Sequence, residues 1–427
     1  MKTLIRNGFL VTADANDTCG DGCVLVEGGT ITYAGPESLA PQVSADRVID
    51  AQGGVVAPGF IDTHTHVPMT MMRGYADDLA LMDWLQNHIW PAEARLTEEA
   101  VYWGSMLAMC EFAAAGVTCF SDMYNFNEAI ARAAHDSGLR ALIATAVLDI
   151  DGGGDDRLKR AAAFFDAVKG YDRIEAAIGP HAEYTVSPEM FEKVRDLAGK
   201  LNARIHVHVS ETQSEHEECI ARHGKTPIGL LESLGVLELP VMAAHCVWVS
   251  DDDMDIMARH HVSVMTCPGS NLKLGSGIPR VSRMLEKGIN VSCATDGAAS
   301  NNNLSMMEEM TLTGLLQKGL NQDPSLIPAK TALRIATING AEALGMSSMT
   351  GSLEAGKKAD IVVLGTDGVR WCPRTNLLNH LVYSGSDADV KLTMVGGDII
   401  YEDGHITFGD IEEIKEKASQ YAAELFA

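Results

Sequence analysis

The chain has 427 residues, more than a single hydrophobic core usually serves, so one large domain with a smaller unit is expected. It carries 33 Lys and Arg against 58 Asp and Glu, a net charge of −25, and such an anionic surface repels nucleic acid and anionic membranes. The chain start and the lack of an apolar run of about 18 residues predict neither a secretion signal nor a membrane span, and nine cysteines without a Cys-x-x-Cys pair predict free thiols in the cytoplasm.

The two terminal segments share one pattern. Residues 1–57 alternate short β-like runs with turn signals such as Asn7-Gly8, and residues 351–427 contain similar runs, for example 359–364, before an amphipathic helix over 411–425. Because chain termini often lie close together, we expect the two sets of strands to pair into one composite β-sandwich.

Residues 58–350 alternate strand-like and helical runs. The clearest helix covers 97–115, with Thr97 as N-cap and Gly116 at its end. Eight apolar strand-like runs occur, at 55–63, 117–122, 141–148, 174–180, 204–209, 241–245, 262–265 and 289–295. This count and length predict an α/β fold of the (β/α)8 barrel type, in which catalytic groups stand at the C-terminal ends of the strands.

Side chains capable of metal binding and proton transfer follow these runs. His64 and His66 end the first run at positions i and i+2, so in a strand both imidazoles leave on the same face and converge. The other strand ends carry His181, His206, His208, Glu211, His245 and Asp296. Each residue alone could be an ordinary hydrogen-bonded polar group, but their joint position predicts a site at the catalytic face of a barrel.

The motifs resemble those of the amidohydrolase superfamily, and more closely its 5-methylthioadenosine/S-adenosylhomocysteine deaminase branch and chlorohydrolase-like relatives. The resemblance covers nearly the whole chain. It is carried by the motifs at residues 58–66 (PGFIDTHTH), 90–94 (WPAEA), 179–181 (GPH), 208–212 (HVSET), 244–246 (AHC), 270–274 (SNLKL) and 295–302 (TDGAASNN).

The resemblance implies a metal site and a fold. It implies a metal-dependent hydrolase barrel in which His64, His66, His208 and Asp296 hold one divalent ion. Three imidazoles and a carboxylate suit Zn²⁺, and Fe²⁺ could use the same ligands. Members with two ions carry a lysine at the end of the fourth strand, where this chain has His181, so a single ion is expected. We interpret His206 as a supporting or packing residue.

The resemblance also implies catalytic roles. Asp296 would take a proton from the attacking water, Glu211 would protonate a ring nitrogen and the departing ammonia, and His245 would polarise the water. Glu211 could otherwise be a carboxylate that favours a helix N-terminus. The expected reaction is deamination of an adenine nucleoside, namely 5′-methylthioadenosine, adenosine, 5′-deoxyadenosine or S-adenosylhomocysteine.

Substrate contacts are implied in the same way. Glu93 and His181 correspond to groups that hold the ribose hydroxyls, Arg157 reaches the 5′ substituent, and Glu211 and Asp296 also contact the substrate. Glu93 could equally be a solvated helix carboxylate. Thr145 stands where we expect a second arginine in members that accept S-adenosylhomocysteine well, which favours small uncharged 5′ groups here. The partner is a small molecule, and the chain could form a homo-oligomer.

Three alternatives remain open from the sequence. A deaminase or dechlorinase of guanine or a triazine would use the same metal site but would not need Glu93 and His181 for ribose. A cytidine-deaminase type of zinc enzyme is disfavoured because its signature, His-x-Glu combined with Pro-Cys-x-x-Cys, is incomplete: the chain has no Pro-Cys-x-x-Cys motif. A non-enzymatic barrel would be expected to have lost ligands, and none is missing.

Overall fold

The computed structural model describes residues 1–426, so Ala427, the end of the predicted C-terminal unit 351–427, lies outside the described residues. The strands, in chain order, are β1 Lys2–Val11, β2 Cys19–Glu27, β3 Thr30–Gly35, β4 Arg47–Asp50, β5 Val55–Pro58, β6 Phe60–Thr65, β7 Val117–Tyr124, β8 Arg140–Val147, β9 Ile174–Pro180, β10 Ile205–Val209, β11 Val241–His245, β12 Ser263–Thr266, β13 Asn290–Cys293, β14 Ile361–Leu364, β15 Val390–Val395, β16 Asp398–Glu402 and β17 His405–Ile406.

Helices follow most barrel strands and close the chain. They are α1 Leu81–Trp84, α2 Trp90–Glu93, α3 Glu98–Ala114, α4 Asn127–Ser137, α5 Gly154–Ala167, α6 Pro188–Leu201, α7 Gln213–His223, α8 Pro227–Ser233, α9 Asp251–Arg259, α10 Pro268–Lys273, α11 Val281–Glu286, α12 Met306–Asn321, α13 Ala329–Ala336, α14 Ile338–Leu344, α15 Leu377–Tyr383 and α16 Ile411–Leu425. Thr97 caps α3, as predicted, by accepting a hydrogen bond from the backbone N–H of Ala100.

The barrel is confirmed. Strands β6 to β13 form one parallel sheet in sequential order, and their side chains are almost all buried, because one face packs inside the barrel and the other against helices. The first and last strands close on each other: the N–H of Asp296 donates to the carbonyl of His64 at 2.9 Å, and the hydroxyls of Thr63 and Ser292 lie 2.9 Å apart.

The composite β unit is confirmed as one mixed sheet built from both termini. Its order is β17-β16-β15-β14-β5-β1-β2-β3, with β4 also paired to β1, and it has a hydrophobic core of its own. The predicted turn at Asn7-Gly8 is wrong. The strand continues through it with a register shift, and Asn7 adopts a φ of 55°, as in a β-bulge.

The first predicted barrel strand, 55–63, is in fact two strands. Val55–Pro58 pairs with β1 and β14 in the mixed sheet, and Phe60–Thr65 begins the barrel. Gly59 separates them, and a Cβ there would lie 2.1 Å from Cγ2 of Thr118, so no side chain fits. The predicted domain boundaries after residues 57 and 350 stay a prediction. Pro58, which the prediction assigns to the barrel, pairs with Ile361 in the mixed sheet.

A buried ion pair connects the two sheets. Arg140 at the start of β8 donates to both carboxylate oxygens of Asp360, at 3.0 and 3.2 Å, and the N–H of Gly396 donates to the same carboxylate at 2.7 Å. All nine cysteines are free. Within residues 1–426, no helix combines the length and apolar character needed to cross a membrane.

Candidate active site

The predicted metal ligands meet at the C-terminal end of the barrel. The candidate ligand nitrogens of His64, His66 and His208 lie within 4.8 Å of one another. Oδ1 of Asp296 lies 3.4 Å from Nε2 of His64 and 3.2 Å from Nε2 of His66. We call these four residues the imidazole cluster. Their spacing leaves room for one ion between them.

Hydrogen bonds outside the cluster orient two of its rings. Nδ1 of His66 donates to the carbonyl of Met123 at 2.7 Å, and Nδ1 of His208 donates to the carbonyl of His181 at 2.8 Å. A ring whose Nδ1 carries the proton has its Nε2 lone pair free for a metal. The barrel thus presents both Nε2 atoms to the same point.

The third ring is oriented by His206. Nδ1 of His64 lies 2.7 Å from Nε2 of His206, whose own Nδ1 lies 3.3 Å from the hydroxyl of Ser121. Nε2 of His64 is buried and has no hydrogen-bond partner among residues 1–426. A buried nitrogen without a partner is costly unless something binds it, so these residues fit a divalent metal ion.

The cluster has the charge state that a cation requires. Burial lowers the pKa of His64 to about 4, and burial with the neighbouring His181 holds that of His208 well below its usual value, so both rings are neutral. Burial opposes ionisation of Asp296, but the neighbouring His64 and His66 rings hold its pKa well below normal. Oδ2 of Asp296 also accepts hydrogen bonds from Ser270 at 2.7 Å and Ser300 at 2.9 Å.

His66 is the exception among the three rings. Burial lowers its pKa, but Asp296 outweighs burial and raises it to about 9. An ion entering the cluster must therefore displace a proton from His66. Cys267 lies near His64 and His245, but burial raises its thiol pKa well above the usual value, so the thiol stays protonated and is a poor ligand.

Backbone strain marks the same strand ends. Ser210, His245 and Asp296 adopt φ values of 48°, 67° and 60°, in the left-handed region that non-glycine residues rarely occupy. Each such residue costs about 1–3 kcal/mol and persists where surrounding structure enforces it, which is common at functional sites.

Glu211 and His245 lie side by side next to the cluster. Oε2 of Glu211 lies 3.7 Å from Nε2 of His245, and the hydroxyl of Ser276 donates to Oε1 at 3.1 Å. Nδ1 of His245 donates to Oδ1 of Asn271 at 2.9 Å, which turns Nε2 towards Glu211. Burial raises the pKa of Glu211, so this carboxyl holds a proton more readily than an exposed glutamate.

A cavity of about 410 Å³ opens onto the cluster. Glu93, His181 and Arg157 line it together with Glu211 and Asp296, and their contacts with substrate stay a prediction. Burial lowers the pKa of His181 to about 3 and raises that of Glu93. The apolar part of the wall comprises Met69, Leu81, Trp84, Leu85, Ile89, Trp90, Leu148, Ile150 and Leu274. A cavity of this size, largely apolar with a few polar groups, suits a small organic molecule.

Thr145 does not line the cavity, so the preference for small uncharged 5′ groups stays a prediction that this residue does not support. Its neighbour Ala146 lines the cavity, and because side chains alternate along a strand, Thr145 on β8 points to the opposite face. Arg157 does reach the cavity, but its guanidinium is already bound: Nη1 and Nη2 donate to the two carboxylate oxygens of Asp151, each at 2.6 Å.

Several site residues escaped the sequence analysis. Ser270, Ser276 and Ser300 donate to the carboxylates of Asp296 and Glu211, and although Ser270 and Ser300 lie in the quoted motifs, nothing in the local sequence assigns these contacts. Apolar cavity residues from α1 and the turn after it were also missed, although Leu81, Trp84, Leu85 and Ile89 follow helical spacing, a signal that would have marked them as one face.

Known proteins resemble the chain over its full length. A model described as the amidohydrolase family matches residues 55–400. The 5-methylthioadenosine/S-adenosylhomocysteine deaminase of Thermoanaerobacter pseudethanolicus is 41% identical over 430 residues, covering 100% of this chain and 99% of that protein. The 5′-deoxyadenosine deaminase of Methanosarcina barkeri is 43% identical over 429 residues, covering 99% and 98%. The crystal structure of a zinc-bound adenosine deaminase from Xanthomonas campestris has a TM-score of 0.96 at 33% identity, covering 99% and 98%.

Proposed function

The chain belongs to the amidohydrolase family, and we propose that it is a metal-dependent hydrolytic deaminase of adenine nucleosides, releasing ammonia and an inosine-type product. One observation supports the proposal most strongly. A single cavity is lined both by the imidazole cluster, which fits a cation, and by the buried carboxyl of Glu211, which can hold a proton. Candidate substrates are 5′-methylthioadenosine, adenosine, 5′-deoxyadenosine and S-adenosylhomocysteine.

We propose that His64, His66, His208 and Asp296 hold one divalent ion per chain. Three neutral imidazoles and a carboxylate suit Zn²⁺, and Fe²⁺ is the second candidate. The zinc bound to the Xanthomonas campestris enzyme supports this choice. Such an ion supplies a nucleophile at neutral pH by lowering the pKa of water from about 15.7 towards 7.

The residues around the cluster divide the proton transfers. Asp296 accepts the proton that the attacking water loses, because its carboxylate stays ionised and Oδ1 faces the cluster. Glu211 donates its proton to the ring nitrogen, since burial favours its protonated form, and then transfers the proton of the newly added hydroxyl to the departing amine. The proton taken up by Asp296 finally restores the acid form of Glu211. His245, hydrogen-bonded to Asn271 at Nδ1, directs Nε2 towards Glu211 and stabilises charge that develops on the attacking oxygen.

Glu93 and His181 are the proposed contacts to the ribose. Both line the cavity, and Nδ1 of His181 lies 2.8 Å from the hydroxyl of Thr185, which fixes the ring. The hydroxyl of Tyr124 lies close to the Glu93 carboxylate, and burial together with that charge raises the pKa of Tyr124 well above normal. A second candidate function, deamination or dechlorination of another N-heterocycle, uses the same cluster without these contacts.

The test is ammonia release from a panel of nucleosides and free heterocycles, with metal analysis of the same preparation. We expect turnover of adenosine and 5′-methylthioadenosine and little from guanine or aminotriazines. Adenosine should exceed 2′,3′-dideoxyadenosine in kcat/KM, because a carboxylate left without its diol partners costs about 1–3 kcal/mol. Faster ammonia release from guanine or an aminotriazine would favour the second candidate.

A further inference from the structure

One wall of the cavity contains an ion pair that the proposed chemistry does not use. Asp151 follows β8 and Arg157 lies on α5, and both line the cavity. The two side chains meet in a bidentate pair with both N–O distances at 2.6 Å, the geometry in which a guanidinium binds a carboxylate most strongly.

The surrounding loop builds this pair in advance. The N–H of Gly153 donates to Oδ1 of Asp151 at 2.9 Å, and Nη1 of Arg157 also donates to the carbonyl of Leu148 at 2.9 Å. A Cβ at residue 153 would lie 2.6 Å from Nη1, so a side chain there would push the guanidinium out of its present place. Hydrogen bonding to Arg157 holds the pKa of Asp151 well below its usual range, so the carboxylate stays ionised.

The rest of the cavity wall offers no substitute cation. Apart from histidines, the charged residues among the described lining residues are Glu93, Asp151, Glu211, Asp296 and Arg157. Arg157 is thus the sole lysine or arginine in that set, and the edge of its guanidinium formed by Nη1 and Nη2 is already occupied by Asp151. Leu148 and Ile150, next to the pair, add apolar surface. A substrate carboxylate entering here would have to displace the carboxylate of Asp151 from Arg157.

We propose that Asp151 is a specificity-determining residue that occupies Arg157 and thereby selects nucleosides whose 5′ substituent lacks a free carboxylate. The inference rests on the proposed function and names its substrate class: adenosines with small or apolar, uncharged 5′ groups. Asp151 and Arg157 both line the cavity, whereas Thr145 faces away from it.

The test compares two thioethers with four-carbon chains, S-adenosylhomocysteine and 5′-butylthioadenosine. The chain length is the same, and only the first substrate carries the charged groups of an amino acid. In the wild type we expect kcat/KM to favour 5′-butylthioadenosine by about tenfold or more. Asp151→Asn keeps the shape of the side chain and releases the guanidinium of Arg157. The ratio of kcat/KM for S-adenosylhomocysteine to kcat/KM for 5′-butylthioadenosine should therefore rise by about tenfold. Asp151→Ala, as a second variant, should shift the ratio in the same direction.

Asp155→Asn is the matched control. Asp155 lies on α5, the helix that carries Arg157, and pairs with Lys193 at 2.6 Å outside the cavity. The control therefore removes an equal charge without releasing Arg157. The inference fails if the wild type uses both thioethers equally well or prefers S-adenosylhomocysteine, or if Asp151→Asn and Asp155→Asn shift the ratio alike. A lack of ammonia from every adenosine derivative, with metal bound, would instead overturn the proposed function.

Discussion

Each imidazole of the cluster uses Nδ1 for a structural hydrogen bond, which leaves Nε2 for a ligand. His66 and His208 bond backbone carbonyls, whereas His64 bonds His206. The partners of His66 and His208 belong to the barrel backbone, so the direction of those nitrogens follows directly from the strands. Only His64 depends on a second side chain for its orientation.

Replacing His64 with alanine should remove the metal. The change deletes one of three imidazole donors, and the remaining donors bind a divalent ion too weakly to retain it. We expect metal content and ammonia release to fall together in the purified variant. His405→Ala, at an exposed histidine on β17, is the control and should keep both. A His64→Ala protein with full metal content would exclude His64 as a ligand.

Glu211→Gln should separate the metal from the chemistry. The amide keeps the size of the side chain but cannot donate an acidic proton, so kcat should fall by about 100-fold or more while the metal stays bound. Metal analysis and kcat on one preparation check this. A variant as active as the wild type would remove Glu211 from the mechanism.

Ser276→Ala should move the pH profile. Ser276 donates to the Glu211 carboxylate at 3.1 Å and so stabilises its ionised form. Without that donor the pKa of Glu211, already raised by burial, rises further, and the protonated acid persists to higher pH. The high-pH limb of kcat/KM should therefore shift to higher pH. Ser419→Ala, whose hydroxyl bonds only its own helix α16, should leave the limb in place, and an unmoved limb in Ser276→Ala would contradict the assignment.

At the scale of elements, the turn from β10 into α7 fixes the backbone of Glu211. Thr212 caps α7, and Glu215 in the first turn reaches back so that its two carboxylate oxygens accept the N–H groups of Ser210 and Glu211, at 2.8 and 2.7 Å. In an ordinary capping box the third residue of the helix accepts the N–H of the N-cap residue, whereas Glu215 accepts those of the two residues before the N-cap. These bonds also support the strained backbone of Ser210.

Glu215→Ala should therefore lower kcat by about 10- to 100-fold through misplacement of Glu211, because shifts near 1 Å are costly in a site of this kind. Metal content and KM should change little, since Glu215 itself neither belongs to the cluster nor lines the cavity. Glu217→Ala, on the same helix and bonded to Gln213, is the control. Equal kcat in the two variants would show that Glu215 serves the helix alone.

At the scale of the whole molecule, the barrel and the mixed sheet share a continuous chain and a buried charge pair. Strands β5 and β6 are separated by Gly59 alone, and the Arg140–Asp360 pair spans the boundary with both side chains almost fully buried. A buried ion pair stabilises a protein little more than a pair of apolar side chains would. Removing one partner, however, leaves the other charge unpaired in a low-dielectric environment.

Asp360→Asn should destabilise the protein by about 3–5 kcal/mol, the usual cost of an unpaired buried charge. The midpoint of urea unfolding measures the change. Asp156→Asn, which breaks the exposed pair with Lys159, should leave the midpoint almost unchanged. Equal midpoints for the two variants would mean that solvent or another group compensates Arg140.

The sequence alone determined the barrel, the composite sheet and the gathering of candidate ligands at one end. Apolar runs with turn signals define strands, and parallel strands in a barrel bring their C-terminal ends together, so His64, His66, His208 and Asp296 had to meet. The tertiary structure decided what depends on single positions. A shift of one residue turns a strand side chain to the other face, as Thr145 shows, and the contacts of Ser276 with Glu211 and of Asp151 with Arg157 depend on loop conformations that periodicity does not encode.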